Sequence, residues 1–143
     1  MTFSLEWDSR FKKNKNISVW PWSDLVSYVK RYSNFSKKNP KVLELGCGPG
    51  ANIPFFLSIT QNYYAIEGSS TIVKQLVKKF PKLKNNLVVG DFTLKIPFQK
   101  KFDMIYDRAA ITHNDTKSIL NCLENIHNKL NKNGLFIGID WFS

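Results

Sequence analysis

From residue 41 onward the apolar positions alternate between two rhythms. Short β-branched or aromatic runs at 41–45, 63–67, 86–90, 102–107 and 135–141 read as five strands, each bounded by turn residues. Between them the spacing becomes helical. Ile72, Val73, Leu76, Val77 and Phe80 share one face of a helix predicted over 71–80, with Ser69 or Ser70 as its N-cap and Pro81 as its stop. A longer helix starts at Asp115 as cap and buries Ile119, Leu120, Leu123, Ile126 and Leu130; Lys129 and Lys132 lie near its negative end and Gly134 terminates it. Strands separated by crossover helices predict a three-layer α/β domain with a mainly parallel sheet over 41–143.

Residues 1–40 have a different style, aromatic and irregular, and read as a cap segment before that domain. Ser23 or Asp24 can cap a helix running to Tyr32, and 33–41, polar and closed by Pro40, reads as the linker into the first strand. Trp7, Trp20 and Trp22 lie here, and Trp141 at the other end. Tryptophan serves first as packing area, so Trp7, Trp20 and Trp22 are expected to hold the segment against the sheet, with cation–π shielding of a cationic ligand as the alternative.

The first strand runs directly into a glycine-rich turn: Val42, Leu43, Glu44, Leu45, Gly46, Cys47, Gly48, Pro49, Gly50, Ala51, Asn52. Glycines at such a turn let a ligand approach the backbone, and the helix that follows presents unpaired N–H groups. The loop alone fits a dinucleotide as well as other adenosine ligands. Glu67, at the end of the second strand, can accept both hydroxyls of a ribose. Glu44, two residues before the first glycine, would repel a pyrophosphate.

These residues resemble the class I S-adenosylmethionine-dependent methyltransferase family, whose first motif places an acid two residues before a Gly-x-Gly-x-Gly turn. The resemblance implies S-adenosylmethionine as cofactor. Glu44 would help hold its cationic amino-acid end, Gly46, Cys47, Gly48 and Gly50 would form the cofactor loop, Glu67 would hold its ribose with Gly68 also at the cofactor, and Asp91 and Phe92, after the third strand, would meet its adenine. Asp107 and Arg108 close the fourth strand, and Tyr106 to Ala110 looks like the thiopurine methyltransferase branch, where this segment lies beside donor and acceptor. Asp107 is thus expected to touch the cofactor and, with His113, to be a candidate base. The implied activity is direct methyl transfer to a small-molecule acceptor, within a Rossmann-like sheet. The family continues past the fifth strand with an antiparallel pair, so this chain is expected to lack the last two strands. Its exposed strand edge then predicts a homo-oligomer or a part of a longer chain.

Bulk properties change this picture little. One domain fits 143 residues. Cys47 and Cys122 have no zinc spacing and form no disulfide framework, which predicts no metal site and a cytoplasmic, reducing location. No run is long and apolar enough for a membrane span. The net charge of +10 raises nucleic acid as a partner, but the lysines are scattered among asparagines, at 12–16, 37–39, 82–86 and 128–133, as on a solvated surface. Three competing readings stand beside the methyltransferase. A nicotinamide-dependent oxidoreductase rests on the glycine loop and Glu67, an RNA-binding or RNA-modifying domain on the charge, and a non-catalytic binding domain on the short C-terminus.

Overall fold

The computed structural model describes residues 5–13, 18–33 and 39–140. In chain order the elements are α1 (Leu5–Lys12), α2 (Ser23–Tyr32), β1 (Val42–Leu45), α3 (Ile53–Leu57), β2 (Tyr63–Glu67), α4 (Ser70–Lys79), β3 (Leu87–Val89), β4 (Phe102–Arg108), α5 (Thr116–Lys129) and β5 (Leu130–Ile139). Single 3-10 turns lie at Pro81–Leu83 and Ile111–His113. The five strands form one sheet in the order β3-β2-β1-β4-β5, every neighbouring pair parallel. β1 is central, which explains why all four of its residues are buried.

Alternation along the strands divides the core into two layers. Val42, Tyr63, Ala65, Met104 and Tyr106 face one side, where Leu25 and Val29 of α2, Phe56 of α3 and Ile72 and Leu76 of α4 pack on them. Leu43, Leu45, Tyr64, Ile66 and Ile105 face the other, against Cys122 and Ile126 of α5. Phe56 stacks on Tyr106 with ring centroids 4.7 Å apart, and Tyr64, Phe98 and Phe102 form an edge-to-face cluster on the opposite side. The N-terminal segment belongs to this core through Phe11, Leu25 and Val29. Its α1, a helix within the stretch expected to be irregular, docks on α4 where the Ser69 hydroxyl donates to Asp8.

Register sets the site. Leu45 lies opposite Ile66 on one side and Asp107 on the other, so β1, β2 and β4 end level and deliver Gly46, Glu67 and Arg108 to one edge.

Local chemistry matches the sequence expectations at most helix ends. Ser69 accepts from the Ile72 N–H and Asp115 from the Ser118 N–H, each satisfying an otherwise unpaired helix donor. Two ends differ. The N-cap position of α2 is Trp22, whose side chain makes no cap bond, while Asp24 accepts from its own neighbour Leu25. Leu130 leaves α5 for the sheet, because pairing with Phe102 extends its backbone at the helix end. Residues 131–134 then bulge out, with Asn133 at φ 64°, before pairing resumes between Leu135 and Met104. The fifth strand therefore starts five residues earlier than its apolar run suggests; Trp141, its expected end, lies outside the described residues, as does the side chain of Trp7.

Candidate functional site

At the carboxyl ends of the strands lies a cavity of about 320 Å³. Four strand ends supply its wall: Glu44, Gly46 to Pro49, Ala51 and Asn52 at β1, Glu67 and Gly68 at β2, Gly90 to Phe92 after β3, and Arg108 to Ala110 with His113 and Asn114 at β4. Gly50, expected at the cofactor, is not part of the lining, and a Cβ there would meet Leu76 and Ile53. Phe11, Ser18 and Trp22 of the N-terminal segment complete it. This is where open α/β sheets bind ligands, since the loops leave the sheet there.

The glycine turn is held by the strands beneath it. Gly46 donates to Ile66 O at 2.8 Å, Gly50 to Cys47 O at 3.0 Å, and Gly48 to Glu67 Oε2 at 2.9 Å. Gly46, Gly48 and Gly50 have φ of 70°, 48° and 79°, a region where a side chain is strained. Glu67 Oε1 also accepts from the Ser69 N–H at 2.9 Å. Its carboxylate thus braces loop and helix start while lining the cavity. Burial pushes its pKa up, and the amide bonds from Ser69, Gly48 and Gly68 oppose that.

Glu44 is nearly sealed, at 3% exposure. Tyr63 donates its hydroxyl to Oε2, and Asn52 Nδ2 donates to Oε1 at 3.0 Å. Burial raises its pKa to about 7, against the pull of Tyr106, Tyr63 and Asn52, with the nearby Glu67 charge adding to the rise. Asp91 uses Oδ1 for the Thr93 N–H and hydroxyl, while its buried Oδ2 has no hydrogen-bond partner among the described residues. A buried acceptor without a donor is costly, so Oδ2 is suited to a ligand N–H. Phe92 and Gly90 flank it. Cys47 is buried, and burial first, then the Glu44 and Glu67 charges, push its thiol far above its ordinary pKa, so it is a wall and not a nucleophile.

Asp107 is where the structure departs from the sequence reading. Its side chain is fully buried beneath the turn after β4 and accepts from the Ala110 and Ile111 N–H groups at 2.9 and 3.0 Å. It does not line the cavity. The carboxylate shapes the wall by capping backbone donors and is not placed to meet a cofactor or take a proton. His113 does reach the cavity, from the 3-10 turn that Asp107 supports.

Two contributors, Asn52 and Tyr63, were not singled out from the sequence, and Arg108, which was, makes contacts the sequence did not show. Asn52 bridges Glu44 and the Trp22 backbone. Tyr63 carries the hydroxyl on Glu44, a role hidden because its strand pattern reads as packing. Arg108 lies over the Trp22 ring at 3.6 Å and pairs with Asp140 at 2.9 Å and Asp24 at 3.7 Å. Its neighbour Ala109 has φ 55°, a strained turn held by its N–H on Ile139 O. Among the described residues that line the cavity stand the carboxylates Glu44, Glu67 and Asp91 against the guanidinium of Arg108, in a chain whose net charge is +10.

A family model described as a methyltransferase domain matches residues 42–134, the stretch from β1 and its glycine turn to the start of β5. The chain belongs to that methyltransferase-domain family. No curated protein matches its sequence. Among solved structures, CalS10 from Micromonospora echinaspora, an amino pentose methyltransferase with S-adenosylmethionine bound, shares 16% identity at a TM-score of 0.71, covering 99% of this chain and 58% of that one. An S-adenosylmethionine-dependent methyltransferase from Clostridium acetobutylicum shares 19% identity at 0.68, over 94% of this chain and 54% of that one. The glycopeptide N-methyltransferase MtfA in complex with S-adenosylmethionine shares 20% at 0.65, over 86% and 50%. At these identities the likeness is one of fold, and the methyltransferase domain described here spans little more than half the length of these structures. No helix among its described residues is long and apolar enough to cross a membrane.

Proposed function

We propose that this methyltransferase domain binds S-adenosylmethionine in the cavity and that the protein transfers its methyl group to a small-molecule acceptor. The observation that carries the reading is the sign of the site: Glu44, Glu67 and Asp91 gather around a glycine turn inside a strongly basic protein. Such a cavity attracts a cationic ligand and repels a pyrophosphate or a nucleic-acid backbone, which argues against the nicotinamide and RNA alternatives. The donor set also fits the group. Glu67 would hold the ribose hydroxyls, the unpartnered Asp91 Oδ2 the adenine amino group with Phe92 on the ring, and Glu44 the ammonium of the amino-acid end.

Bound there, the cofactor supplies a sulfonium-activated methyl group. The protein's part is to hold an acceptor in line with it and keep water out, an effect of position worth several kcal/mol. Trp22, Arg108, His113 and Asn114 line the end of the cavity left for the acceptor, and His113 is the residue to receive a proton from a hydroxyl or amine. The wording of Tyr106 to Ala110, like that of the thiopurine branch, supports a small-molecule acceptor in that place. Thermal denaturation tests the cofactor: S-adenosylhomocysteine should raise Tm and NAD should leave it unchanged, because only a ligand of the native state stabilises it. A rise with NAD alone would reverse the assignment.

A further inference from the structure

Asn52 sits where the floor of the cavity meets its N-terminal cover. It occupies the N-cap position of α3, where an asparagine ordinarily turns its side chain onto the first free helix amides; no such bond forms. The side chain makes two tertiary contacts instead. Nδ2 donates to Glu44 Oε1 at 3.0 Å, and Oδ1 accepts from the Trp22 N–H at 3.3 Å. A carboxamide carries donor and acceptor on one rigid plane without charge, so a single group can serve both partners, and fixing one orients the other.

Each partner has a place in the site. Glu44 is surrounded by Tyr63, Tyr106, Cys47 and Glu67, none of them cationic. Trp22 is the pivot of the cover: its ring lies under Arg108, and both it and Ser18 line the cavity. We infer that Asn52 is a positioning residue that couples the arrival of the cofactor's ammonium at Glu44 to closure of residues 18–22 over the cavity. This rests on the cofactor reading above. A cation that fixes the Glu44 carboxylate fixes the Asn52 plane, which strengthens the bond to Trp22; by reciprocity, the closed segment retains the ligand.

Two ligands separate the coupling from simple binding: S-adenosylhomocysteine, and 5′-methylthioadenosine, which keeps the adenosine and lacks the amino-acid end. In hydrogen exchange on the whole chain, S-adenosylhomocysteine should slow the amides of 18–22, Trp22 foremost, and 5′-methylthioadenosine should not. In calorimetry, Asn52→Leu, which removes donor and acceptor without adding a charge, should weaken S-adenosylhomocysteine about tenfold or more and leave 5′-methylthioadenosine within about twofold. Asn52→Ser should behave alike. Equal losses for both ligands in the folded variants, or equal protection of 18–22 by both ligands in the wild type, would overturn the coupling and leave Asn52 as a structural bridge. If neither variant folds, the wild-type exchange comparison decides alone. Failure of the wild type to bind either ligand would instead sink the cofactor reading, and the coupling with it.

Discussion

Replacing Gly46 by alanine tests the geometry of the glycine turn without touching a charged group. A Cβ built there would lie 2.5 Å from the Ala110 Cβ and 3.6 Å from Phe92, at φ 70°. Left-handed backbone costs an L-residue about 1–2 kcal/mol, and forcing a methyl into a filled space about 1–3 more, so Gly46→Ala should lose roughly 2–5 kcal/mol. Gly48 is the internal control. Its φ is 48°, but the nearest atom to an added Cβ is Phe11 Cζ at 4.0 Å, so Gly48→Ala should lose only the backbone part, about 1–2 kcal/mol. Adding Ala110→Gly to Gly46→Ala removes the clashing partner and should restore about 1–3 kcal/mol, a coupling readable from a double-mutant cycle. Urea denaturation of the wild type, the three single variants Gly46→Ala, Gly48→Ala and Ala110→Gly, and the double variant measures it. A Gly46→Ala protein as stable as Gly48→Ala, or a double variant no more stable than Gly46→Ala alone, would refute the packing of β1's turn against the β4 turn.

Other outcomes follow from the same contacts. Gly48→Val should fold yet lose S-adenosylhomocysteine in calorimetry, since its branched side chain fills open cavity; retained binding would move the ligand elsewhere. Glu67→Gln should weaken that ligand by about 1–3 kcal/mol and loosen the turn by setting an NH2 against the Gly48 or Ser69 N–H; unchanged affinity would leave Glu67 a brace only. Asp107→Ala should destabilise the fold by about 1–3 kcal/mol for each amide it strips, with ligand affinity kept in the folded fraction; a selective loss of affinity would restore a direct role. Glu44 makes stability depend on pH. Its folded pKa of about 7 exceeds the ordinary 4.5, so the native state binds the extra proton and stability falls as pH rises between those values, by on the order of 3 kcal/mol. Glu44→Gln should flatten that slope, and an equal slope in the variant would assign it to other groups.

The sheet was legible because its signals are local. Each strand is a short β-branched run bounded by turns, and Ser69 and Asp115 announce their helices through caps that the structure uses. The glycine turn, Glu67 and Asp91 were legible because they follow strand ends, and a parallel sheet brings strand ends to one edge. What stayed hidden depends on partners distant in sequence. Asp107 reads as a site acid because it ends a strand, yet its side chain turns under 110–111, whose amides need an acceptor. Asn52 reads as part of a helix start, and only the fold shows it between Glu44 and Trp22. Leu130 fits the helical stripe of α5, and pairing with Phe102 takes it into the sheet.

The central claim is that the acidic glycine-lined cavity is a site for S-adenosylmethionine, and amide shift mapping by NMR tests it most directly. Titration with S-adenosylhomocysteine should move the amides of Gly46, Gly48, Gly68, Asp91 and Phe92 together, with one affinity, while NAD at equal concentration leaves them in place. Shifts confined to surfaces away from these residues, or produced by NAD alone, would contradict the account.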